Sequence, residues 1–488
     1  MISLEQARGR IFSSENNIHV FADKVNNQGL KMTDRVNLRL RPTQFDYDYV
    51  EHFDFFAKSW ISILPKLENE HDKQLIGWVL GRYVDDLAEK QKLDLDMTDQ
   101  QRVKTIDLMT ACYDHGDEKL KQQAKSFLEE EVDFIGDVSK MRSSKEWQSL
   151  WSFKFDRMIE GGALGEKLRK SVGEHMQLGI GGEKIIIDTV LSDEFIESHG
   201  ELIKPYLKLM AEVAGLPVEI SDDVVCSWLT LNRELLNKDG DEVYKGRLRR
   251  AVKKNIKSIL EICSRSQEFG SQVILDLYKQ FGITHFGRYS SDILIDQWNN
   301  RDNLSSGYGL WVGCYDDYNG SFYQNIDKID LLSDDAAILG MKMRIIESRD
   351  KTSLAKRIYN LDKKYGENNK ISFMVISGHG SADSVQLGNF GNTDSSITTA
   401  DLYGRSANKM KKFYSQRMPV AFAACSTGID GGIAQHYSIF TGGHAVGPRD
   451  VSSLDTISLA RRKRGAIYFI GITYHYAQRE DYLSGEKL

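Results

Sequence analysis

ISFMVISGHGS, residues 371–381, is a block of seven mostly apolar residues that runs straight into Gly378, His379, Gly380 and Ser381. A run this short and this apolar, closed by glycine, reads as a strand buried on both faces. PVAFAACSTG, residues 419–428, repeats the pattern and runs into Cys425, Ser426, Thr427 and Gly428. Working outward, GYGLWVGC (307–314), MKMRIIE (341–347) and AIYFIGIT (466–473) read as further strands. The stretches Asp327 to Leu339 and Leu354 to Tyr365 read as helices between them. Buried strands alternating with helices predict a mostly parallel α/β sheet. In such a sheet ligands bind outside the carboxyl ends of the strands, so His379 and Cys425 are expected on one rim.

Upstream the text changes character. Leu120, Ala124, Phe127, Leu128, Val132 and Ile135 recur at steps of three and four, as do Val252, Ile256, Ile259, Leu260 and Cys263. Each series puts an apolar stripe on one side of a helix. Pro205 to Gly215 has the proline start and glycine stop of another helix. No fixed-period repeat joins these helices. Composition shifts near residue 300: residues 301–488 carry 23 basic and 20 acidic side chains, leaving 41 and 50 for the first 300. The expected organisation is a helical region, 1–300, followed by an α/β domain, 301–488.

Whole-chain composition narrows the function class. Of 488 residues, 41% are hydrophobic and 27% charged, and the net charge is −6, which describes a globular protein without the basic excess of a nucleic-acid binder. Five cysteines, Cys112, Cys226, Cys263, Cys314 and Cys425, form no CxxC pair and read as reduced thiols in a cytoplasmic protein. MISLEQARGR has no secretory h-region, and no apolar run reaches membrane-spanning length, so no membrane partner is expected.

A thiol and an imidazole at the ends of neighbouring strands supply a nucleophile and an acid/base, the minimum for acyl transfer. The block ending in HG followed by one ending in AC resembles the caspase-like cysteine peptidases. The separation of 46 residues from His379 to Cys425 suits one strand–helix crossover. SGHGSA with AACSTG is most similar to the CHAT and separase versions. It departs from the caspase QACxG at Ala423 and from the metacaspase DCC. The resemblance covers about 305–475, and helical arrays commonly precede the protease in CHAT and separase proteins.

The resemblance implies a cysteine endopeptidase acting on a protein or peptide substrate. Cys425 would be the nucleophile, His379 the acid/base, and the N–H groups of Gly380 and Cys425 the oxyanion hole. A thioester acyl-enzyme would form and hydrolyse without metal or cofactor. It further implies an activator or regulatory partner on the helical region and, in prokaryotic relatives, a role in defence or cell death. Asp316, Asp317 and Asp450 would line the first specificity pocket and favour Arg or Lys at the cleaved position, whereas Arg449 would favour the reverse. The rival reading is an inactive caspase-like scaffold that senses a ligand or binds protein. Among weaker features, GIGGEK (179–184) reads as a turn, RRKR (461–464) as a solvated turn or a cleavage site, and Cys314 as a second candidate thiol.

Overall fold

The computed structural model describes most of residues 99–133, 155–177, 200–230 and 242–488, apart from short interruptions. It also describes scattered positions between 60 and 81 and between 187 and 195. The chain divides into two compact units, Met1–Gly182 and Glu183–Leu488. In the first unit the described elements include α1 (Asp99–His115), α2 (Glu118–Asp133) and α3 (Gly162–Gln177). Leu120 and Ala124, the first two residues of the stripe the sequence showed, are buried on α2, as are Leu108, Met109 and Cys112 on α1, while the side chains of Phe127, Leu128 and Val132 lie outside the described residues. Ile135 and the GIGGEK segment lie outside the described residues.

Among the described residues, the second unit has the helices α4 (Ile203–Val213), α5 (Val218–Leu229), α6 (Glu242–Ser266) and α7 (Gly270–Asp276) ahead of the sheet. A short 3-10 turn at Phe286–Arg288 and α8 (Ser291–Asn299) then lead into the sheet. There follow β1 (Tyr308–Cys314), α9 (Ile326–Ile338), β2 (Lys342–Ser348), α10 (Lys351–Tyr365) and β3 (Ile371–Ser377). Three small strands, β4 (His379–Gly380), β5 (Ser384–Gln386) and β6 (Ser396–Thr398), form a separate sheet. The chain continues through α11 (Arg405–Met410), β7 (Val420–Ala423), α12 (Ile433–Thr441) and β8 (His444–Pro448). It ends with β9 (Ile457–Arg464), β10 (Ile467–Tyr474), β11 (Arg479–Leu483) and β12 (Glu486–Lys487).

The main sheet has seven strands in the order β12-β11-β8-β7-β3-β1-β2. The five strands from β8 to β2 run parallel, and β11 adds antiparallel to β8. Helices plus a mostly parallel mixed sheet are therefore the architecture. All seven residues of β1 are buried, and Gly309 is needed there because a Cβ would come within 1.9 Å of the Phe373 ring. Helix α10 starts on a capping box: Asp350 accepts from the Ser353 N–H at 2.5 Å, and the Ser353 hydroxyl accepts from the Asp350 N–H.

Three readings change. The compositional step at 300 does not coincide with the division at Gly182/Glu183, because helices from 203 onward pack in the same unit as the sheet. AIYFIGIT is a strand, yet it pairs antiparallel with β9 outside the main sheet. Only residues 465 and 466 separate the two strands, too short for the crossover that a parallel neighbour requires. For the same reason RRKR is the last part of β9 rather than a turn. Among the described residues no helix is long and apolar enough to cross a membrane.

Candidate active site

Strands β3 and β7 are neighbours in parallel register, with Ser377 opposite Ala423. The two exits therefore leave the sheet side by side, and the Gly378 N–H donates to the Ala423 carbonyl at 3.3 Å. Past that bond the backbones stay close. A Cβ on Gly380 would come 2.6 Å from the Cys425 carbonyl oxygen and 2.9 Å from the Ala424 Cβ. The geometry thus brings the His379 and Cys425 loops together at the carboxyl edge of the sheet, where ligands bind in such folds.

The Cys425 loop is braced from three directions. Helix α12 begins directly after it, and its first turn holds both loops: the Ile433 N–H donates to Ala382 (2.7 Å) and the Ala434 N–H to Thr427 (3.1 Å). From the end of β8 the Pro448 carbonyl accepts from Gly428 at 2.7 Å, and two residues past the strand the Asp450 carbonyl accepts from Ser426 at 3.1 Å. From β11, the Tyr482 hydroxyl donates to the Gly428 carbonyl at 2.9 Å. Glycine is required at 428, since a Cβ would come 2.1 Å from the Gly447 oxygen. Ser426 sits at φ 59, the left-handed region that costs a non-glycine residue about 1 kcal/mol.

Cys425 is half-buried, and none of the five cysteines is in a disulfide. Cys314 stands apart from it: the thiol is buried and its pKa is pushed far up by desolvation. A thiol held protonated in this way is a poor nucleophile.

His379 lies against the segment that follows β1. Its Nε2 is 3.7 Å from the Asp317 Oδ1, and its ring meets Phe322 edge-on at 5.3 Å between centroids. Asp317 has no exposed side-chain surface. Its Oδ2 accepts from the Phe322 N–H at 3.1 Å and lies 3.5 Å from the Arg288 Nη2. Asp316 is also buried, with its N–H on the Leu387 carbonyl. Asp450 is exposed, one hydrogen bond away from Ser426. Arg449, the competing pocket residue, is paired with Glu480 at 3.1 Å. Of the three acidic residues expected to line a specificity pocket, Asp450 is exposed, whereas Asp316 and Asp317 are buried.

Behind Asp317 is a polar core that sequence reading missed. Arg288 donates to the Cys314 carbonyl and lies 3.6 Å from Glu347. Glu347 is buried at the end of β2 and accepts from the Thr284 N–H (2.7 Å), the Thr284 hydroxyl (2.9 Å), the His285 N–H (3.1 Å) and the Tyr289 hydroxyl (2.9 Å). Burial works against the Arg288 charge, but the surrounding Cys314, Tyr323, Glu347 and Asp317 hold its pKa above the ordinary value. His285 is driven well below its usual pKa by burial, with repulsion from Arg288 adding to the effect. A neutral His285 must then donate from Nε2 to the Tyr315 carbonyl (2.9 Å) and accept at Nδ1 from Tyr323 (2.5 Å). The available signal was THFGRY (284–289), dense in polar groups, together with a glutamate that directly follows Ile345 and Ile346 in the strand. No family model, no curated protein and no solved structure matches the chain.

Proposed function

We propose that this chain is a caspase-like cysteine endopeptidase of the CHAT/separase type, with Cys425 as nucleophile and His379 as acid/base. The observation that carries this reading is the parallel register of β3 and β7, which sets Gly380 against the Cys425 carbonyl. It gives the thiol and the imidazole carriers one shared rim, as acyl transfer needs. The chemistry is a transfer of the substrate acyl group to the Cys425 sulfur, release of the amine after protonation by His379, and hydrolysis of the thioester by water. The N–H groups of Gly380 and Cys425 are assigned to the oxyanion.

The exposed Asp450 beside Ser426 supports a preference for Arg or Lys at the cleaved position. Pairing of Arg449 with Glu480 weakens the opposite preference, since its charge already has a partner. The helical first unit is assigned to regulation or recognition by its likeness in kind to the helical regions that precede CHAT proteases.

The test is labelling of the purified protein with peptidyl electrophiles carrying Arg, Asp or Leu at the cleaved position, with the adduct located by mass spectrometry. An adduct confined to Cys425, strongest with Arg and lost in Cys425→Ala and His379→Ala, is the expected result. Peptide cleavage that persists in Cys425→Ala overturns the assignment. No adduct with any probe, before and after removal of residues 1–182, favours a protein-binding scaffold instead.

A further inference from the structure

We propose that Asp317 is a positioning residue for His379, that Arg288 and the Phe322 N–H hold it in place, and that Nδ1 is therefore the nitrogen of His379 that exchanges protons with the substrate. The inference rests on the protease reading for its chemistry, but its geometry stands apart from it. Asp317 is wholly buried and presents its two oxygens in opposite directions, Oδ1 toward His379 Nε2 and Oδ2 toward Arg288 and the Phe322 N–H. A wholly buried carboxylate that accepts from the Phe322 N–H and faces a buried guanidinium is not free to turn and follow a substrate. It can hold an imidazole. The 3.7 Å contact is an ion-pair distance rather than a hydrogen bond, and such contacts commonly tighten when substrate closes the site.

The charges of the pocket point the same way. Asp317, wholly buried, puts its carboxylate directly beside the His379 ring, with Oδ1 3.7 Å from Nε2. A positive charge arising next to it is favoured. In the acylation step the thiol proton passes to His379 as sulfur bonds to the carbonyl carbon. The imidazolium so formed returns that proton to the leaving nitrogen as the C–N bond breaks. With Nε2–H directed at Asp317, both transfers use Nδ1, and the cation forms against the carboxylate. Phe322, packed edge-on to His379 and lying under Arg288 at 5.8 Å, fills the space between them and fixes the ring plane.

The test is ring-nitrogen NMR of the full-length protein, with the His379 signals assigned by their loss in His379→Gln. The Nε2–H tautomer is expected in the wild type and in Asp317→Glu, and a mixture of tautomers in Asp317→Asn. An Nδ1–H tautomer in the wild type, or an unchanged tautomer in Asp317→Asn, overturns the proposal. The wild-type spectrum decides it even where the asparagine variant fails to fold. The electrophile panel gives a second readout: Asp317→Asn should slow Cys425 labelling by about 10²-fold for Arg, Asp and Leu probes alike. Slowing confined to the Arg probe makes Asp317 a specificity carboxylate and also overturns the proposal. Absence of Cys425 labelling both in the wild type and after removal of residues 1–182 refutes the protease reading, while the tautomer result still decides the role of Asp317.

Discussion

Gly380 rests on the Cys425 carbonyl so closely that the smallest side chain would come within 2.6 Å of that oxygen. The contact is backbone against backbone, so a Gly380→Ala variant cannot relieve it by turning a rotamer. The two loops must separate. Overpacking of this kind costs about 1–3 kcal/mol, while the damage to the site should be larger than the damage to the fold. We expect Cys425 labelling to fall at least about tenfold, consistent with the sensitivity of reacting groups to small misplacements. Labelling at the wild-type rate with an unchanged melting temperature would show that the loops do not need this approach.

Thiol reactivity should rank by burial. Cys314 and Cys112 are buried with raised pKa values, Cys112 to about 12, and desolvation likewise lifts Cys263 to about 11. Alkylation of the native protein near pH 8, followed by peptide mapping, should modify the half-buried Cys425 and Cys226 ahead of the others and leave Cys314 and Cys112 until the protein unfolds. Early modification of Cys314 would contradict the packing around it.

The unit boundary makes a prediction about length. Residues 183–488 contain the sheet together with Thr284, His285, Arg288 and Tyr289, the groups that satisfy Glu347. That segment should fold alone with a cooperative melt. A segment starting at 301 leaves Asp317 buried without Arg288 and Glu347 without its donors at 284, 285 and 289, a loss of about 3–5 kcal/mol for a broken buried pair, and should be aggregated or molten. In the full chain, Glu347→Ala should lower stability by a similar amount, readable from urea midpoints. A stable, soluble 301–488 segment would refute the role given to the polar core.

One acid-sensitive contact lies outside the site. His444 Nε2 is 3.1 Å from Asp481, joining the start of β8 to β11. Burial opposes the Asp481 charge, but His444 and then Arg479 outweigh it and hold the carboxyl below its ordinary value. A carboxyl depressed on folding adds stability that is present above its unfolded pKa of about 3.9 and lost as pH falls through the lower folded value. The melting-temperature gap between wild type and Asp481→Asn should therefore be widest near pH 6–7 and narrow progressively as pH falls below about 4. A gap as wide at pH 3 as at pH 7 would mean the asparagine costs packing rather than charge.

Where the sequence was legible, it was so for local reasons. ISFMVIS, PVAFAA and GYGLWVGC are too short and too apolar for anything but buried strands, and the glycine exits marked both loops of the site. Strand adjacency, the fact that joins His379 to Cys425, is a long-range property that composition only suggested. Asp316 and Asp317 sit in DDYNG, which reads as a turn and hides that both side chains are buried. Arg288 and Glu347 were invisible for a different reason: a charge inside a core announces itself only once its partner, 59 residues away in the chain, is known. The same blindness placed the domain edge at 300, since a charge census sees helices without seeing what they cover.

The bracing of the Cys425 loop has a consequence for the life of the chain on the ribosome. The loop depends on backbone partners at 448 and 450 and on the hydroxyl of Tyr482, all synthesised after it. Long-range parallel pairing is slow to form and cannot precede its own strands. A nascent chain that has not yet been made as far as residue 482 therefore carries the thiol without its setting, and the geometry around Cys425 first exists once β8 and β11 have been synthesised.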